Sequence, residues 1–287
     1  SWACSPRDSK SGTPATSPAN SANIKRNALE CYPMRKVEQQ STHAEQQGAN
    51  GPSPIAPSQH GEREASAALG GTSLRRDEQG LALVGDGMVL RGDFSQLLPR
   101  IRKGRLSSEL LVRAARVRDC AEPWAIDATA GRGEDPFLLA AAGFRVSMYE
   151  SDPTVAALVR DALNRAQANP NLADIACRME LFEEDSIEAM SHLGDTPDVI
   201  YLDPMFPERR KSAAVKKKFQ LIHRLEAPCQ NEGALLAAAI SASPRKVVVK
   251  RPAKGPHLAG VKPSHSLAGK AVRYDVIIPA SIKVPLA

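Results

Sequence analysis

From residue 124 onward, short apolar runs alternate with helical stretches, and that alternation limits the possible folds more than any other feature of the chain. "WAIDAT" (124–129), "FRVSMYE" (144–150), "CRMELFEED" (177–185), "DVIYLD" (198–203) and "RKVVVKRP" (245–252) read as strands. Between them lie three helical stretches, "PFLLAAAG" (136–143), "PTVAALVRDALNRAQ" (153–167) and "EGALLAAAISA" (232–242). The first has proline in its opening turn and Gly143 at its stop; the second is started by Asp152-Pro153. Strands joined through helices by short links run parallel, so the pattern predicts an α/β fold with a mostly parallel, doubly wound sheet. "AVRYDVIIPA" (271–280) adds a last strand, hairpinned with residues near 262–267 across Gly269-Lys270. In such sheets ligands bind beyond the carboxyl ends of the strands.

The residues ahead of this core divide in two. Residues 1–72 are rich in Ser, Ala, Pro, Gln and Gly, with neither helical nor strand periodicity. A segment of that composition buries too little apolar surface to offset its ordering entropy, and it is expected to be disordered. Residues 73–119 read as a short N-terminal subdomain. "LALVGDGMVLRGD" forms a hairpin turning at Gly85-Asp86-Gly87, and "SSELLVRAARV" a Ser-capped helix with Leu110, Leu111, Ala114 and Val117 at helical spacing. Residues 120–287 form the main domain.

The strand ends carry the chemistry. Asp127, Glu150, Asp185 and Asp203 close four consecutive strands, and all four should open on one edge of the sheet. A carboxylate buried in a core without partners costs several kcal/mol, on the order of 2–7 for a polar group, whereas at that edge it can bind a ligand. Gly131 and Gly133 lie just before a helix, where glycine lets the backbone approach a ligand at the helix N-terminus. A nucleotide dehydrogenase would place a third glycine where Pro136 stands. Asp127 suits a ligand ammonium. Glu150, 23 residues on, stands where an acid reads ribose hydroxyls, and Asp185-Ser186 could accept from an adenine amine or cap the next helix. Together these positions suggest S-adenosyl-L-methionine rather than NAD.

"YLDPMFP" (201–207) supplies the acceptor side of the reaction. The lone pair of an exocyclic base amine is delocalised into the ring, which makes it a poor nucleophile. The Asp203 carboxylate and the Pro204 carbonyl can hold its two hydrogens and favour a pyramidal nitrogen. Phe206 can stack on the base, and proline stiffens the turn in advance. Presenting a base to such a turn means unstacking or flipping it.

"DATAGRGED", "YESDP", "VIYLDPMFP", "KSAAVKKKFQLIHRLE", "KVVVKRP" and "VRYDV" together resemble the small-subunit (16S) ribosomal RNA guanine-N2 methyltransferase family, the RsmJ-like enzymes, over residues 120–280. The resemblance implies a Rossmann-like class I methyltransferase fold and S-adenosyl-L-methionine-dependent methylation of a guanine amine in small-subunit rRNA or the 30S subunit. It implies cofactor contacts at Glu134, Asp135, Glu150, Ser151, Asp185, Ser186 and Asp203. The sequence departs from the family at Arg132, where an apolar residue is common, and at Ser151, where a basic one is frequent.

The net charge of +6 is modest, but its clustering fits RNA. Arg209, Arg210, Lys211, Lys216, Lys217 and Lys218 follow the "DPMF" turn directly, Lys250 and Arg251 end the fifth strand, and "PRIRKGR" (99–105) precedes the core. Phosphate contact is the expectation for the first two groups, with Lys250 and Arg251 also candidates for shaping the target pocket. Five scattered cysteines and six histidines without ligand spacing predict no disulfide framework and no metal site, as expected of a cytoplasmic protein, and no apolar run is long enough to span a bilayer. Three other readings stay open: methylation of DNA adenine or protein glutamine through the same turn, a non-catalytic RNA-binding module, and an NAD dehydrogenase disfavoured by Pro136.

Overall fold

The computed structural model describes residues 71–85, 87–205 and 231–281. The expectation for residues 1–72 falls, up to residue 70, outside the described residues, and so does Asp86 of the hairpin turn. Strands β1 (Ser73–Asp77), β2 (Gly80–Gly85) and β3 (Met88–Leu90) form a small antiparallel meander. A 3-10 turn at Phe94–Leu97 follows, then helix α1 (Leu110–Ala115). The expected serine cap of α1 is not formed. Ser108 lies in a second 3-10 turn (Leu106–Ser108) and donates to the Arg105 carbonyl at 2.6 Å. Glu109 takes the cap position, but both its oxygens accept from Arg100, at 2.9 and 2.8 Å.

The main domain follows the predicted alternation closely: β4 (Trp124–Asp127), α2 (Glu134–Ala141), β5 (Arg145–Tyr149), α3 (Pro153–Gln167), a single-turn α4 (Ala173–Ala176), β6 (Met179–Phe182), α5 (Ser186–Ser191), β7 (Val199–Leu202), α6 (Glu232–Ser241), β8 (Lys246–Pro252), β9 (His265–Ala268) and β10 (Val272–Ile277). The sheet order is β6-β5-β4-β7-β8-β10-β9. β4 through β8 pair in parallel, and β10 turns antiparallel to β8 with β9 on its outer side. Chain order reverses between β4 and β7, the switch point where such sheets bind ligands.

Alternation along the strands sends side chains to two separate cores. Val146, Tyr201, Val248 and Tyr274 pack with Leu111 of α1, Phe137 of α2 and Val155 and Val159 of α3. Ile126, Ile200, Leu202, Val247 and Val249 face the other way, toward Met190 of α5 and Leu235, Leu236 and Ala239 of α6.

The N-terminal meander packs Leu83 and Leu90 on Leu158 of α3 and is pinned there by one acid. Asp161 accepts from Arg76 at 2.7 Å, from the Leu81 backbone N–H at 3.0 Å and from Arg165 at 2.8 Å. Burial works against its charge, yet these bonds together hold its pKa below the ordinary carboxylate value. Beyond β8, Arg273 donates to the carbonyls of Pro252, Ala253, Gly255 and Pro256 and so fixes the turn that leaves the sheet. His257, one of the six histidines without ligand spacing, sits in this cluster with Nδ1 3.0 Å from Asp275.

Candidate active site at the carboxyl edge of the sheet

Asp127 ends β4 and is almost fully buried, at 1% exposure. Its Oδ1 accepts from the Thr129 N–H at 2.9 Å and from the Thr129 hydroxyl at 3.3 Å. Oδ2 is buried and has no hydrogen-bond partner among the described residues. Burial pushes its pKa up to about 8, with the Asp135 and Asp203 carboxylates adding to the rise against the Thr129 hydrogen bonds. The Thr129 hydroxyl also accepts from the Asp203 backbone N–H at 2.7 Å. One threonine thus ties the end of β4 to the end of β7 across the switch point.

Two glycines shape the next loop. Gly131 and Gly133 both have positive φ, 50° and 72°, and Gly133 is the residue from which α2 starts. A Cβ on Gly133 would stand 3.1 Å from Phe94 Cζ, so Phe94 closes over the loop only because that side chain is missing. Glu150, directly after β5, accepts from the Gly131 N–H at 3.0 Å through Oε2 and from the Asp152 N–H at 2.9 Å through Oε1. It joins the glycine loop to the start of α3, and burial raises its pKa despite these bonds.

The densest cluster lies where β7 and β8 leave the sheet. Leu202 pairs with Val249, so the next residues, Asp203 and Lys250, emerge side by side. Lys250 Nζ is 2.7 Å from Asp203 Oδ2 and 2.8 Å from Asp135 Oδ2, and the Tyr201 hydroxyl donates to that same Asp135 oxygen at 2.6 Å. Burial opposes the charge of Lys250, but the two carboxylates outweigh it and hold the ammonium well above its ordinary pKa. Burial also raises the pKa of Asp203, which Lys250 only partly offsets.

The sequence-predicted residues separate under this geometry. Asp127, Gly131, Gly133, Asp135, Glu150 and Asp203 converge on one edge of the sheet, and the buried Pro204 continues from Asp203. Glu134 opens α2 and pairs with Arg132. Ser151 is exposed between Glu150 and the Asp152 cap of α3. Asp185 does not end a strand: β6 stops at Phe182, and Asp185 is the exposed N-cap of α5, accepting from the N–H groups of Ile187 and Glu188, with Ser186 as first helical residue.

The placement of Arg251 corrects the expectation of an RNA contact. Neighbouring residues on a strand point to opposite faces, so Arg251 turns away from Lys250. It is 1% exposed and donates to the Pro256 carbonyl at 2.8 Å and to Glu232 at 3.3 Å, leaving no surface for a phosphate. Lys250 likewise serves the site interior, which favours the pocket-shaping half of its expectation. Phe206, Arg209, Arg210, Lys211, Lys216, Lys217 and Lys218 lie outside the described residues.

Thr129 and Tyr201 were missed. Their signal was local: a hydroxyl two residues past a strand-end acid, and a tyrosine two residues before one. Among the described residues no group of His, Cys, Asp and Glu could hold a metal ion, and no helix is long and apolar enough to cross a membrane.

Comparisons with known proteins agree with this arrangement. A family model described as "Putative SAM-dependent methyltransferase" matches residues 72–279. The ribosomal RNA small subunit methyltransferase J of Neisseria meningitidis is 43% identical over 206 residues, which is 71% of this chain and 82% of that protein. The protein of the same name from Stutzerimonas stutzeri is 46% identical over 171 residues, 59% of this chain and 66% of that one. The crystal structure of a SAM-dependent methyltransferase from Neisseria gonorrhoeae superposes with a TM-score of 0.61 at 34% identity, covering 74% of this chain and 85% of that one.

Proposed function

Because the chain belongs to the SAM-dependent methyltransferase family that includes ribosomal RNA small subunit methyltransferase J, we propose that it methylates the exocyclic N2 amine of a guanine in small-subunit rRNA, acting in the cytoplasm on the rRNA or the 30S subunit. The observation that carries this reading is the Asp203–Lys250–Asp135 cluster, tied through the Thr129 hydroxyl to Oδ1 of Asp127, whose Oδ2 is buried and without a partner among the described residues.

The residues present fit S-adenosyl-L-methionine. An unpartnered buried acceptor costs about 1–3 kcal/mol, and an ammonium group placed at Asp127 Oδ2 would satisfy it. In the loop beside it, Gly133 leaves Phe94 and Val159 room to pack against the start of α2. Asp127, Gly131 and Gly133 would hold the amino-acid end, and Glu150, fixed by two backbone N–H groups, would face the ribose, with Ser151 beside it and Asp185 and Ser186 at the start of α5 as the remaining candidates. The bound cofactor supplies an activated methyl group on a sulfonium.

The chain's own part is to present the amine. Lys250 fixes one oxygen of Asp203, and no described residue bonds the other, which is available to an amine hydrogen. The Pro204 carbonyl takes the second hydrogen. Held by two acceptors, the nitrogen keeps its lone pair out of the ring and aimed. Its raised pKa makes the Asp203 carboxylate a stronger proton acceptor than an exposed one.

Incubation with isotope-labelled cofactor and small-subunit rRNA or 30S particles, followed by nucleoside mass mapping, should give N2-methylguanosine. Asp203→Ala should lower kcat by at least ~100-fold while RNA affinity is retained. Label in DNA, in protein or in a different nucleoside would reject the assignment.

A further inference from the structure

The Lys250 ammonium has three donors, and two of them are directed to Asp135 and Asp203. Its side chain is 25% exposed, and no described residue takes the third donor. A donor and a carboxylate acceptor therefore stand 2.7 Å apart at the place where the target base would enter. Guanine is the amine-bearing base whose edge runs acceptor, donor, donor: O6, then N1–H, then the N2 amine. Adenine and cytosine present an unprotonated ring nitrogen beside their amine, which would face the Asp203 carboxylate with two lone pairs opposed.

We propose that Lys250 is the residue that selects guanine, donating its third N–H to O6 while the Asp203 carboxylate beside it accepts from N1–H and from the amine. The proposal rests on the guanine-N2 reading above and goes beyond it by naming the residue that reads the base. Asp135 and Tyr201 serve as its mounting. They hold the ammonium from the α2 side, so its position does not depend on Asp203 alone. With two carboxylates against it the ammonium stays charged throughout the working pH range, so it is a permanent donor rather than a switch. A purely structural lysine, present only to neutralise two carboxylates, would show the same contacts in the free protein but would not discriminate among bases.

6-Thioguanosine separates the two roles, since it keeps N1–H and the N2 amine and replaces O6 by a poorly accepting sulfur. Small-subunit rRNA carrying guanosine, 6-thioguanosine or inosine at the target position is assayed for kcat/KM with the wild-type chain and with Lys250→Met. The wild type should prefer guanosine over 6-thioguanosine by about 10–100-fold, the range for one hydrogen bond from a charged donor. Lys250→Met should slow both and bring the preference to about threefold or less. An unchanged preference in the variant overturns the proposal, because the discrimination would then come from the size of sulfur. Inosine lacks the amine and should accept no methyl; transfer to inosine, or none to guanosine, overturns the guanine-N2 reading instead, and this proposal with it. If Lys250→Met unfolds because Asp135 and Asp203 repel, Asp135→Asn combined with Lys250→Met removes one charge of each sign and yields the same ratio. Lys250→Arg, which keeps charge and donors, should retain the preference, and its loss there with folding intact would count against donation to O6.

Discussion

Replacing Asp127 with asparagine should change the pH dependence of folding in a predictable way. The carboxyl is 1% exposed and has one oxygen without a partner among the described residues. Burial raises its pKa from 3.8 to about 8 in the folded protein. The folded state therefore binds this proton more tightly than the unfolded chain does. Stability from this source is complete below about pH 4, declines as pH rises, and levels off once the folded group ionises near pH 8. The slope is about 1.4 kcal/mol per pH unit, which amounts to roughly 4 kcal/mol at most between pH 5 and pH 8. The assay is urea unfolding without cofactor, for wild type and Asp127→Asn at matched pH values. Subtracting the two curves cancels Glu150, Asp161 and Asp275, whose shifted pKa values are common to both. The wild type should lose stability relative to the variant as pH rises, by several kcal/mol across that window. A cationic ligand group at Oδ2 favours the ionised carboxyl, so S-adenosyl-L-methionine should flatten the slope in the wild type alone. Parallel curves would refute the reasoning, since they would mean that Asp127 is solvated or paired in the folded chain.

Two further outcomes test other parts of the site. Gly133→Ala forces a Cβ to within 3.1 Å of Phe94 at φ 72°, and a left-handed L-residue costs about 1–2 kcal/mol. Calorimetry should show Tm lower by roughly 2–8 °C, whereas an unchanged Tm would mean that the loop relaxes freely. Replacing the exposed Arg102, Lys103 and Arg105 together by alanine should reduce the dependence of log RNA affinity on log salt by about 2. An unaltered slope would place the phosphate contacts elsewhere.

The strand and helix positions were legible because they depend on local pattern. β8 was expected over 245–252 and spans Lys246–Pro252, and α3 matches its expected limits. Each strand-end acid could also be read locally, except where a helix cap imitates one: Asp185 belongs to α5 because Ile187 and Glu188 need an acceptor there. Pairing across the sheet is not local. Asp203 and Lys250 are 47 residues apart, and only the parallel register of β7 with β8 brings them to 2.7 Å. The same register explains the misreading of Arg251. Two adjacent cations look alike in a sequence, but strand alternation sends one into the site and the other into the opposite core, where Glu232 and a backbone carbonyl await it.

That division of cations also constrains how RNA can approach. Inside the site Lys250 stands against both Asp135 and Asp203, so the cluster formally carries a surplus of negative charge. The surplus suits a cationic cofactor and a base edge rich in donors, and it repels phosphate. Arg251, bonded to Glu232 and a carbonyl on the far face, adds only the weakest of the influences acting on Asp203. The RNA backbone must therefore be held outside, by cations on the rim. Among the described residues Arg102, Lys103 and Arg105 are exposed candidates on a segment that the Arg100–Glu109 pair anchors. Arg100 is held above its ordinary pKa first by its hydrogen bond to Glu109 and more weakly by the charge of Asp135. On the proposed reading, with the backbone on a positive rim and the target amine presented at Asp203, the base would reach the site by swinging out of its stack, and unpaired or readily flipped guanines are the expected targets.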